Sequence, residues 1–71
     1  MKGDFDQAIA DFDRVIEIDP AYAVAYFSRG ASLSLIGEKS KAISDLERAL
    51  ELGLPPEMVE LAEGLLAESS K

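Results

Sequence analysis

Residues 3–18 read GDFDQAIADFDRVIEI and residues 37–52 read GEKSKAISDLERALEL, so Gly3, Ala8, Ile9, Asp11 and Arg14 recur as Gly37, Ala42, Ile43, Asp45 and Arg48, each 34 residues on. A unit of that period is a helical hairpin that hides its apolar face only by stacking on its neighbours. What recurs is a set of packing residues rather than a reactive cluster. The pattern therefore points to a binding scaffold and does not name its partner.

Seventy-one residues make one small domain, close to the size at which a lone core needs help from disulfides, metal or oligomerisation. The chain has no cysteine and no histidine, which excludes disulfides and removes the usual nitrogen and sulfur metal ligands. With 48% hydrophobic and 30% charged residues it can fill a core and solvate the opposite faces. A net charge of -7 opposes contact with phosphate backbones, and the seven Lys and Arg form no basic stripe, so nucleic acid is not an expected partner. The longest apolar run, residues 21–27, is far shorter than the roughly 20 residues a bilayer span needs, so no membrane insertion is expected. Asp4 and Asp6 lie where a signal peptide would be apolar. Lack of cysteine fits the cytoplasm, the expected location. The chain opens inside a helical pattern, the expectation for a fragment of a longer array with an added initiator Met1.

Periodicity predicts four helices and no strands. The first, residues 4–18, carries Phe5, Ala8, Ile9, Phe12, Val15 and Ile16 at i, i+3, i+4, i+7 spacing, with Asp4 and Gln7 placed to cap its start. Asp19-Pro20 closes it, and Pro20 can open the next helix. The second, residues 21–35, is apolar around much of its circumference and must touch neighbours on more than one side; Gly37 is its stop. The third, residues 39–52, repeats the stripe of the first with Ala42, Ile43, Leu46, Ala49 and Leu50. After Gly53, Pro55 and Pro56, the fourth, residues 56–69, sets Met58, Val59, Leu61, Ala62, Leu65 and Leu66 against an outer face of Glu57, Glu60, Glu63 and Glu68, which suits the end of a stack.

Catalysis finds no support in these residues. The serines have no histidine to activate them, and Asp4/Asp6, Asp11/Asp13 and Glu60/Glu63 lack the spacing of a calcium loop and read as solvated faces. Gly30, Gly37, Gly53 and Gly64 do not cluster as a phosphate-cradling loop. No catalytic, cofactor-binding or metal site is expected, and the chain is read as no enzyme.

The hairpin at residues 23–54 resembles a tetratricopeptide repeat, whose pattern is a large aromatic, Leu-Gly, Tyr, then Ala, Phe, a small residue and Pro. Tyr26 takes the place of the first aromatic, Arg29 of the leucine and Leu33 of the tyrosine; Gly30, Ala42 and Ala49 match, and Leu46 replaces the phenylalanine. Ala8, Phe12 and Pro20 fit the second half of a preceding unit, and Gly64 lies 34 residues beyond Gly30, as in the first helix of a degenerate third. Leu54 stands where the terminal proline belongs, and Pro55 follows one residue late.

The resemblance implies an all-α fold of antiparallel hairpins stacked as a short right-handed α-solenoid. Residues 1–71 would form a single domain: 4–18 the second helix of a partial repeat, 21–52 a full repeat, 56–69 a capping helix. It also implies a non-catalytic protein–protein interaction scaffold that binds a peptide or helix of a partner through a mainly apolar concave groove. By resemblance that groove comprises Val24, Phe27, Ser28, Ala31, Ser34 and Leu35 with Met58, Leu61 and Leu65. For Val24, Leu61 and Leu65 the competing reading is packing between the second and fourth helices, which leaves Phe27 and Leu35 as the expected exposed contacts. The Lys and Asn clamp with which some members grip a terminal carboxylate is replaced by Val24, Ser28 and Met58, so it is not expected. The acidic surface favours a basic partner. Arg29 is expected to join a surface ion pair, and Tyr22 to remain a candidate contact. The alternative is a homodimer formed through Phe5, Ile9, Phe12 and Ile16 on a first helix whose hairpin partner is missing.

Overall fold

A computed structural model describes residues 2–69, with side-chain exposure described from Asp4 onward. Met1, read as an added initiator, lies outside the described residues, as do Ser70 and Lys71. Four α-helices follow one another: α1 Lys2–Ile18, α2 Ala23–Leu35, α3 Lys39–Leu52 and α4 Pro56–Ser69. No strand occurs among the described residues. The architecture is a short all-α helical stack.

The connections follow from local chemistry. After α1, the Asp19 carbonyl accepts from the Tyr22 N–H at 3.1 Å and the Asp19 carboxylate accepts from the Ala21 N–H at 3.3 Å. Pro20 thus occupies the second position of a tight turn, where its fixed φ is preferred. Pro20 and Ala21 therefore do not open α2, which begins at Ala23 behind an extended Tyr22. The Asp4/Gln7 cap is also not formed. Helix α1 runs back to Lys2, Asp4 lies within its first turn, and the Gln7 amide donates to Asp11 instead.

Helix α2 ends on Gly37 at φ +86, a left-handed geometry that costs glycine nothing. The Glu38 N–H reaches back to the Leu33 carbonyl and the Gly37 N–H to that of Ser34, which is the Schellman arrangement that satisfies a helix's last carbonyls. Helix α4 starts on the pair Pro55-Pro56. The Pro55 carbonyl accepts from Met58 and Val59, and Pro56 sits in the first turn, where a missing N–H is no loss.

Helix α2 is the centre of the described residues, packing on α1, α3 and α4, while α3 packs on α2 and α4 and, among the described helices, α1 packs on α2 alone. This explains why α2 is apolar on several sides. The core lies in the α2/α3 hairpin, where Ala42, Leu46 and Ala49 have no exposed surface and Ala23, Ala25 and Leu33 are buried. At the crossing, a Cβ on Gly30 would come within 2.9 Å of Leu46 Cγ and 3.2 Å of the Ala42 carbonyl oxygen. Only glycine lets these helices approach so closely.

Candidate functional site

Val24, Ser28, Ala31 and Leu35 follow i, i+4, i+7, i+11 spacing and so share one side of α2. The first three are half-buried, and Leu35 is 69% exposed. Phe27 and Ser34, a little further round, are half-buried as well. On α4, which touches α2, Met58 and Leu65 are half-buried and Leu61 is 59% exposed. Exposure at Leu61 shows that it is not a core contact of the kind Ala62 makes, since Ala62 is fully enclosed. Of the two residues expected to be open, Leu35 is exposed and Phe27 only partly so. Tyr22 stays partly open at the head of α2.

Phe5, Ile9, Phe12 and Ile16 follow the same i, i+4, i+7, i+11 spacing on α1, share one side of it, and are all half-buried. Ile9 lines a pocket of about 290 Å3 with Arg29 and Leu33 of α2.

One polar arrangement exceeds the surface ion pair expected of Arg29. Its Nε donates to Asp45 Oδ2 at 2.7 Å and its Nη2 to Asp45 Oδ1 at 2.8 Å, while Nη1 donates to Asp13 Oδ1 at 2.7 Å. One side chain thereby joins α1, α2 and α3. Asp45 is buried, with 10% of its side chain exposed, whereas the Asp13 side chain is 53% exposed. The guanidinium also lies over the Tyr26 ring at 5.5 Å, a cation–π contact. The Asp45 hydrogen bonds above all, opposed by partial burial and helped by Asp13, hold the Arg29 pKa above its ordinary value. Asp13 and Asp45 lie 16 residues before and after Arg29, and neither was identified from sequence as its partner. The available signal was a charged residue standing at an otherwise apolar position of the repeat.

The charges in the pocket between α1, α2 and α3 are already engaged: Arg29 by Asp13 and Asp45, and Lys41 by Glu38 at 3.4 Å. No group of acidic, histidine or cysteine side chains able to hold a metal occurs among the described residues. No described helix is long and apolar enough to cross a membrane. The arrangement offers apolar and hydroxyl contacts to a chain laid against α2 and α4.

Comparison with known proteins agrees with the all-α repeat fold. A family model described as TPR repeat matches residues 1–37, and a second, described as tetratricopeptide repeat, matches residues 23–52. The Protein STIP1 homolog of Dictyostelium discoideum is 37% identical over 49 residues, which cover 69% of this chain and 9% of that protein. The chain therefore corresponds to a small part of that relative's length. No solved structure gives a significant match.

Proposed function

We propose that this chain, which belongs to the tetratricopeptide-repeat family, binds a peptide or helix of a partner protein along the side of α2 and α4 that carries Val24, Phe27, Ser28, Ala31, Ser34 and Leu35 with Met58, Leu61 and Leu65. Repeats of this family generally mediate protein–protein interaction as non-catalytic scaffolds. The observation that carries the reading is the exposure of Leu35 and Leu61, two large apolar side chains on helices that touch. Apolar residues left open beside half-buried neighbours are what a docking helix or extended segment covers. In this reading residues 4–18 end one repeat, 21–52 form a full one and 56–69 cap the stack.

A basic partner fits the net charge of -7, which would speed encounter with a cationic segment. The cytoplasm is the compartment proposed, since a chain without cysteine draws no support from an oxidising environment. A homodimer through α1 is the second reading, favoured by the half-exposed Phe5, Ile9, Phe12 and Ile16.

Selection from a displayed peptide library on the full chain, followed by titration of the selected peptides, tests the groove. Leu61→Asp is expected to weaken them by about tenfold or more, as for loss of an apolar anchor, with helical circular dichroism unchanged. Peptides that bind Leu61→Asp and Leu35→Asp as well as the parent would refute the assignment.

A further inference from the structure

Helices α1 and α3 both pack on α2 but, among the described residues, not on each other. The space between them is the pocket of about 290 Å3, whose two apolar residues are Ile9 and Leu33. Leu33 stands nine residues past Val24 on α2, which is about two and a half helical turns. This cleft therefore opens on the opposite side of α2 from the groove residues.

Its two walls carry opposite charge. Asp13 lines the α1 wall, and Asp6 and Glu17, seven residues before it and four after, lie on the same side of that helix and are exposed. The residues at these spacings, Asp6, Ile9, Asp13 and Glu17, include no cation. Across the cleft Lys41 and Ser44 line the α3 wall, and Arg48 follows at the next i+4 step. Asp45 is on that wall too, but the Arg29 fork occupies both of its carboxylate oxygens. The cations are lightly held: Lys41 meets Glu38 at 3.4 Å and Arg48 meets Glu51 at 3.2 Å, each an i,i+3 pair of side chains at least half exposed. Pairs of that kind contribute little, so an incoming carboxylate can replace them.

We infer that the α1/α3 cleft docks an amphipathic helix of a partner protein that is basic along one flank of its apolar stripe and acidic along the other. The basic flank faces Asp6, Asp13 and Glu17, the acidic flank faces Lys41 and Arg48, and an apolar side chain enters the pocket over Ile9 and Leu33. Asp6 to Glu17 spans about 16 Å of α1, so about three turns of partner helix cover the wall. A uniformly basic segment is the wrong match, because its second flank would meet Lys41 and Arg48. A second copy of this chain, at a net charge of -7, brings mostly like charge to the acidic wall.

A displayed library of helical peptides tests this, with leucine fixed along one stripe and every flanking position free to be Lys, Glu or Ala. The library is selected on the full chain and depleted on the double variant Glu17→Lys/Lys41→Glu, whose helical circular dichroism is first matched to the parent. Selected peptides are expected to carry Lys on one flank and Glu on the other. Titrated singly by fluorescence anisotropy, they are expected to weaken about tenfold with Glu17→Lys and about tenfold with Lys41→Glu, the scale of a close interfacial charge pair. Reversing the single peptide charge that faces the altered position, found by scanning the flank, is expected to restore binding in each case. Leu61→Asp, in the groove, is expected to leave binding unchanged. An empty selection, survivors that are basic on both flanks, or failure of either reversed pair to restore binding would overturn the inference. Loss of binding with Leu61→Asp would place the peptides in the groove and overturn it equally. A dimer of the full chain that the peptides dissociate, and that Glu17→Lys abolishes, would make the occupant a second copy and overturn the partner assigned.

Discussion

Arg29 and Asp45 meet as a fork, with Nε and Nη2 on the two carboxylate oxygens at 2.7 and 2.8 Å, at the point where α2 crosses α3. This geometry pre-organises both side chains, and partial burial shields it from salt. Where the family pattern has a leucine, this chain uses an ion pair to hold the crossing. The third donor, to Asp13 on α1, lies nearer solvent and contributes less.

Arg29→Leu restores the family's apolar residue but leaves the Asp45 carboxylate buried without its partner. The expected cost is about 3 kcal/mol, the lower end for breaking a buried pair, read as a fall in urea midpoint. Adding Asp45→Leu is expected to recover most of it, because removing both charges abolishes the desolvation cost. A double variant as unstable as the single one would contradict this. Asp13→Asn is expected to cost about 1 kcal/mol or less, as for a solvent-exposed pair.

The raised Arg29 pKa makes a separate claim. For a cation stabilised by folding, the contribution is fully present below the unfolded-state pKa and is lost only as pH rises above it. Arg29 therefore adds no pH dependence to stability between pH 6 and about pH 10, a range well below the ordinary arginine value. The loss of urea midpoint caused by Arg29→Leu is expected to be equal at both ends of that window; a loss that halves at the alkaline end would contradict the assignment.

Gly30 and Gly64 occupy the same register one repeat apart and should respond oppositely to alanine. At Gly30 the new methyl would meet Leu46 and the Ala42 carbonyl, neither of which can give way easily. Overpacking of about 1–3 kcal/mol outweighs or cancels a helix-propensity gain of about 1 kcal/mol. At Gly64 the space is open, so the propensity gain of about 0.5–1 kcal/mol remains and Gly64→Ala stabilises. Thermal unfolding of the two variants reads the sign of each. Stabilisation by Gly30→Ala would contradict the close crossing.

Gly37→Ala forces a Cβ into the left-handed geometry that ends α2. The expected cost is about 1 kcal/mol, seen as a lower melting temperature with helix content retained. An unchanged melting temperature would mean that the turn relaxes freely.

Much of this fold was legible in the residues. Periodicity and the punctuation at Pro20, Gly37, Gly53 and Pro55 located four helices because those features act locally. Helix starts were harder to read. Asp4 and Asp19-Pro20 can each cap or turn, and the choice depends on how far α1 extends backward and on the Asp19–Tyr22 hydrogen bond. The Arg29 fork was illegible because its partners sit on two other helices, at separations that no single-helix spacing reveals.

The stack itself is tested most directly by nuclear Overhauser contacts at the α2/α3 crossing. The account predicts strong cross-peaks from the Gly30 Hα protons to the Leu46 methyls and the Ala42 backbone. A well-dispersed helical spectrum in which those cross-peaks are missing would contradict it.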